Sequence, residues 1–119
     1  MKQKLIDALN RCGFVDGETL FLQGTINLEE NYPPDFVTYW TDDVPDGVHF
    51  DNETKSYDWT FSVIFYSADA ALVNTKHNEI RAALKAAGFI PQGKGQDIPS
   101  DAPTHTGWAM DFIGTEYLI

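Results

Sequence analysis

The stretch Asp58-Trp59-Thr60-Phe61-Ser62-Val63-Ile64-Phe65-Tyr66-Ser67, with the run that continues to Ile90, decides how the rest of this 119-residue chain is read. Trp59, Phe61, Val63 and Phe65 are large and apolar and alternate with Asp58, Thr60 and Ser62, a period of two that predicts a half-buried strand. Ser67 or Asp69 then offers an N-cap oxygen. Val73, His77, Ile80, Leu84 and Ala87 follow at spacings of four and three, which places them on one stripe of a helix. Gly88 stops that helix, and Phe89 is the apolar residue that packs back under such a cap.

The same ending occurs earlier. Arg11-Cys12-Gly13-Phe14 echoes Ala86-Ala87-Gly88-Phe89, after a first helix expected over residues 2–12 with Leu5, Leu9 and Cys12 on one side and Ile6 beside them. Short strands are expected at 19–22 and 36–41. A turn follows at Val44-Pro45-Asp46-Gly47, where proline and glycine suit a turn's first central and last positions. Residues 48–50 return as the partner of 36–41, with Asp51-Asn52-Glu53 as the next loop. Residues 89–92 read as a short strand, 93–104 as a Gly/Pro/Asp-rich loop, and 106–117 as a long strand with Trp108, Met110 and Phe112 on one face. Together these predict an α+β domain: a single mixed, mostly antiparallel sheet with two helices packed on one face. The faces of Trp59/Phe61/Val63/Phe65 and Trp108/Met110/Phe112 should meet Leu5/Leu9 and Val73/Ile80/Leu84. Tyr39, Ile64, Tyr66, Ile113 and Tyr117 are left over, and they predict an apolar association face on the other side.

Composition narrows the function classes. Apolar residues make up 43%, with eight Phe, five Tyr and three Trp, so a packed globule is expected over a disordered chain. The single cysteine cannot form an internal disulfide, no basic end leads into an apolar run of signal-peptide length, and no segment approaches the roughly 20 apolar residues of a membrane span. Synthesis in a reducing cytoplasm follows as the expectation. The net charge is −10, and it is unevenly placed: Lys2, Lys4, Arg11, Lys76, Arg81 and Lys85 fall in the two expected helices, while Glu29 to Asp58 holds nine carboxylates against Lys55 alone. Tight binding to a phosphate backbone needs a basic surface, so nucleic acid is disfavoured as a ligand, and much of the acid serves as a solvated, solubilising surface.

No constellation carries catalysis on its own residues. Cys12 lies on an apolar stripe with no predicted basic neighbour to lower its pKa, which is the pattern of a structural cysteine. Asp42, Asp46, Gly47 and Glu53 fit some positions of a calcium loop, but Val44 stands where a ligand is required and Pro45 stiffens the loop. His49, His77 and His105 lack paired metal-ligand spacing. Ser100, Asp101 and His105 supply the residue types of a hydrolase triad, without a nucleophile elbow and within six loop residues. Gly93-Lys94-Gly95 has the composition of a phosphate loop, yet no helix begins after it.

One resemblance goes further. Phe36-Val37-Thr38-Tyr39-Trp40, His49-Phe50-Asp51-Asn52, Trp59-Thr60-Phe61 and Phe65-Tyr66-Ser67 resemble small proteins of the head-tail gene block of long-tailed bacteriophages and prophages. So do the runs 80–90, Gly93-Lys94-Gly95 and 100–107. Over residues 36–117 the chain is most similar to the tail terminator, or tail completion, proteins. The resemblance implies an α+β virion subunit, made in the host cytoplasm, that forms a ring, expected to be a hexamer. The ring caps the finished tail tube at its head-proximal end and meets tail-tube and head-tail connector proteins. It implies no catalytic residue and no cofactor, and the residue patterns above lead to no expected metal. On this reading Asp42, Asp43, Asp46, Asp51 and Glu53 line or rim a channel that repels passing DNA, and the loop bearing Gly93, Lys94, Gly95, Asp97, Ser100, Asp101 and His105 is mobile until it meets a neighbour. The alternatives are another connector or minor structural protein of the same particle, and an acidic monomeric module that sequesters a basic protein.

Overall fold

The computed structural model of the chain describes residues 1–23, 33–47, the backbone of 49–50, 53–100 and 104–118. Helix α1 (Lys2–Arg11) comes first, then strands β1 (Leu20–Leu22), β2 (Asp35–Asp43), β3 (His49–Phe50), β4 (Glu53–Thr54) and β5 (Ser56–Ser67). Helix α2 (Ala70–Ala86) and strands β6 (Ile90–Pro91), β7 (Gln96–Pro99) and β8 (Thr106–Tyr117) complete the order. The main sheet runs β1-β2-β5-β8, with β6 and β7 both on the outer edge of β8. β1 lies parallel to β2; every other pair in the sheet is antiparallel. This is a mixed, mostly antiparallel α+β architecture.

Two twelve-residue strands form its spine, because β5 and β8 pair along their whole length, from Ser56↔Tyr117 to Ser67↔Thr106. That ladder lines up Phe61 with Phe112, Val63 with Met110 and Phe65 with Trp108 on one face. β2 adds Val37 opposite Phe65 and Tyr39 opposite Val63. Leu5, Ala8 and Leu9 of α1 and Val73, Ile80 and Leu84 of α2 join these residues in one buried cluster. Trp59 and Trp108 pack at its margin. Each buried aliphatic or aromatic side chain there contributes about 1.5–3 kcal/mol by leaving water.

Both helices end alike. Gly13 N–H donates to Asn10 O and Phe14 N–H to Leu9 O, and Gly88 N–H to Lys85 O and Phe89 N–H to Leu84 O, the paired hydrogen bonds of a Schellman cap. Phe14 and Phe89 turn back into the core cluster. At the start of α2, Asp69 is the N-cap, its carboxylate accepting from Ala71 N–H at 3.0 Å. Ser67 stands one step behind: its Oγ accepts from Asp69 N–H at 3.0 Å and donates to the Asp35 carboxylate.

Four expectations are corrected. β3 pairs with β4 in a separate two-stranded hairpin and not with β2, whose partner is β5; nine residues of β2 gain a far longer ladder on a twelve-residue strand than on a two-residue one. Glu53 therefore lies in a strand, while Val48 falls outside the described residues. Residues 93–104 are not loop throughout, since Gln96–Pro99 form β7 on the edge of β8. Tyr39 belongs to the helix-side core, 8% exposed, and is no part of an association face.

Candidate functional site

Side chains alternate across each central strand, so the residues between the core positions project from the far face. There β2 contributes Trp40, β5 contributes Ser62 and Ile64, and β8 contributes Ala109 and Asp111. With Ile98 of β7 and the Gln92–Gln96 turn they bound a groove of about 510 Å³. Its walls are mixed. Trp40, Ile64, Ile98 and Ala109 are apolar, Asp111 and Lys94 are charged, and the Ser62 hydroxyl beside Asp111 also reaches Asp42.

Around Ser62 one hydroxyl serves two carboxylates. Ser62 Oγ lies 2.6 Å from Asp42 Oδ2 and 2.8 Å from Asp111 Oδ1, and Trp40 Nε1 donates to Asp42 Oδ1 at 2.5 Å. A serine hydroxyl has one hydrogen, so it satisfies one of the two carboxylates and turns a lone pair to the other. The local reason for the convergence is a bulge: the β2 register on β5 shifts between Thr41 and Asp43, and Asp42 sits at the shift. A third carboxylate on this face, Asp58, accepts from Thr115 Oγ1 at 3.0 Å.

The residues expected at an association face are spread out. Ile64 is 2% exposed and lies among the groove's lining residues, and Tyr66 stacks on Phe36 at 5.0 Å between ring centroids. Ile113 is half-buried, paired with Ile90 of β6, which is 60% exposed. Tyr117, 70% exposed, stands at the far end of β8. Exposed apolar surface is therefore concentrated at Ile90 and Tyr117 more than at the centre.

The expected channel acids are also divided among elements. Asp42 is in the Ser62 network; Asp43 accepts from Val44 N–H at 2.9 Å; Asp46 forms a bridge to Tyr57; Glu53 is ion-paired with Lys55 at 2.8 Å. Asp51 lies outside the described residues, as does Asp101. Of the contact-loop residues, Gly93, Lys94 and Gly95 make the turn from β6 to β7, and Lys94 O accepts from Trp108 Nε1 at 2.9 Å. Asp97 sits opposite Trp108 in β7, and Ser100 is half-buried. His105 Nε2–H donates to Pro33 O at 2.8 Å, and its ring lies 5.7 Å from Phe36. Ser100 follows β7 and His105 precedes β8.

No family model and no curated protein matches this chain.

Two features outside the groove escaped the sequence reading. Lys76 reaches Cys12, its Nζ donating to the Cys12 carbonyl at 3.4 Å, so a cation does lie near this cysteine. Burial nonetheless pushes the thiol above its ordinary value; Lys76 opposes that rise and Glu79 adds to it. Lys76 is itself ion-paired with Glu79 at 2.7 Å. A cleft of about 340 Å³ beside them is lined by Cys12, Phe14, Asp35, Leu72 and Lys76. His77, buried on the α2 stripe, donates from Nδ1 to Val73 O at 2.6 Å and stacks on Trp108 with centroids 4.4 Å apart. Its Nε2 has no hydrogen-bond partner. The stack joins α2, through Trp108, to the Gly93–Gly95 turn at the groove's rim.

Proposed function

We propose that the protein is a structural subunit that acts by associating with neighbours, stationed at the head-tail junction of a long-tailed phage particle. There a ring of such subunits ends the tail tube and joins it to the head. The observation that carries this reading is the far-face groove, where apolar side chains stand beside Asp111 and a serine hydroxyl shared between Asp111 and Asp42. Such a surface fits a protein neighbour that brings apolar side chains and cations together. The resemblance over residues 36–117 supplies the particle and the station, and the α+β sheet agrees with the fold it implies. The acidic balance supports weak contact with DNA, because a carboxylate-rich surface repels phosphate.

The test is deletion of the gene from a strain that produces the particle, followed by negative-stain electron microscopy. A subunit that ends tube growth and bridges to the head leaves, when lost, heads and tails apart and tails of uneven length. Joined particles with tails of uniform length in the deletion strain overturn the reading.

A further inference from the structure

We propose that the far-face groove receives the α1/α2 helix layer of a second copy, cations of the helices meeting Asp42 and Asp111, so that subunits associate head to tail. The proposal rests on the subunit reading above and names its partner. Its starting point is an imbalance within one chain. Eighteen carboxylates accompany eight lysines and arginines, yet of the six cations in the helices only Lys76 has a carboxylate partner among the described residues. Lys2, Lys4, Arg11, Arg81 and Lys85 have none. The only other ion pair among the described residues is the local one between Lys55 and Glu53.

The sheet explains the imbalance. The helices share their core with one of its faces, whereas Asp42, Asp58 and Asp111 stand on the other, where the central strands carry no lysine or arginine and Lys94 of the β6–β7 turn is the one cation among the groove's lining residues. A chain cannot bring its own two sides together, but a second copy can. The helix layer offers a compact set for that purpose. Arg81 and Lys85 are four residues apart on the last turns of α2, and are therefore neighbours on its surface. Lys4 reaches the same end, with its Nζ 5.7 Å from the centre of the Phe89 ring behind the α2 cap. On the receiving side, one hydroxyl hydrogen between two carboxylates leaves room for further donors. A guanidinium brings five, in a fork that matches carboxylate oxygens. Trp40, Ile64, Ile98 and Ala109 supply apolar surface to desolvate the contact.

A contact between unlike surfaces repeats from copy to copy, closing into a ring if the rotation permits and running on as a filament if it does not. The experiment uses two neutral variants, groove-dead Asp42→Asn/Asp111→Asn and helix-dead Arg81→Gln/Lys85→Gln, each checked for fold by circular dichroism and sized by analytical ultracentrifugation. Wild type is expected to assemble beyond a dimer, and each variant alone to associate at least about 30-fold more weakly, as for loss of an interfacial charge partner. Mixed one to one, the variants retain one intact contact per pair and should stop at a dimer. Variants that assemble like wild type, or a mixture that stays monomeric, each overturn the head-to-tail contact while leaving the subunit reading standing. Wild-type filaments that the variants abolish support the contact and count against the ring.

Discussion

Replacing Gly95 by alanine tests whether the turn at the groove's rim is held by contact or merely by backbone conformation. Gly95 has φ +106°, and a Cβ built there would lie 2.3 Å from Ala109 O and 2.5 Å from Trp108 Nε1. The first of these is backbone of a central strand, paired on its other edge to β5, so it cannot give way as a flexible side chain would. The cost has two parts: about 1–2 kcal/mol for an L-residue at positive φ, and about 1–3 kcal/mol for forcing a methyl group into filled space. Gly93 is the internal control, for it has φ +82° with nothing within 4 Å of its added Cβ. Gly93→Ala should therefore lose the first part alone.

For a domain of this size, 1 kcal/mol moves the melting temperature by roughly 4 °C. Thermal unfolding followed by circular dichroism should show Gly95→Ala falling by about 8–20 °C and Gly93→Ala by about 4–8 °C on that conversion. Exchange of the Trp108 indole N–H gives a local readout: its bond to Lys94 O should open in Gly95→Ala and persist in Gly93→Ala. Equal melting temperatures for the two variants would refute the reasoning, since they would show that Ala109 and Trp108 do not constrain the turn.

Other predictions concern the core, the cap and alkaline pH. Leu84, fully buried between α2 and the sheet, should cost about 2–5 kcal/mol as Leu84→Ala, read from the urea midpoint; a loss below about 0.5 kcal/mol, the range of surface substitutions, would mean the α2 stripe is not core. Asp69→Ala removes the N-cap bond to Ala71 and should cost about 1 kcal/mol, whereas Asp69→Asn should cost much less. Burial holds the Cys12 thiol and the Tyr39 phenol above their ordinary values of 9.0 and 10.0, with Asp16 adding to the rise at Tyr39. Both groups thus favour the neutral form more when folded, so their contribution is complete below the unfolded-state values and is lost as pH rises through the folded ones. The urea midpoint should fall above about pH 9, and Cys12→Ala should remove the earlier part of the fall; a midpoint that rises with pH in wild type would contradict the assigned burial.

What could be read from the sequence was the part carried by long, regular patterns. Alternation through Trp59, Phe61, Val63 and Phe65 located β5 and its buried face, and the repeated Gly-Phe ending located both helix caps. Short strands left no such trace. Gln96–Pro99 contains one large apolar residue and a proline, so its strand character comes from the free edge of β8 and not from its own side chains. Tyr39 was misplaced because β2 is bulky on both faces, Phe36 and Trp40 on one and Val37 and Tyr39 on the other. Only the pairing of Tyr39 with Val63 decides which face is core. That signal was available, since an antiparallel β2-β5 pair puts Val37 and Tyr39 level with Phe65 and Val63.

The acidic run shows why charge counted along a chain differs from charge in space. Between Glu29 and Asp58 the carboxylates crowd the sequence, and crowding suggested one surface lining one channel. Folding separates the described ones: Glu53 turns to Lys55 on a hairpin, Asp46 meets Tyr57, and Asp42 swings through a bulge toward Ser62. The partner that completes the Asp42 cluster, Asp111, comes from outside the run altogether, and it lies 49 residues beyond Ser62, across the β5-β8 ladder. A carboxylate pair assembled from β2 and β8 around a β5 hydroxyl needs the register of three strands to exist, so no local pattern could announce it. The same sheet that gathers these two acids holds the helical lysines and arginines away from them on its other side. Within one molecule the two sets stay apart, and the contact proposed above is one in which a second copy would bring them together.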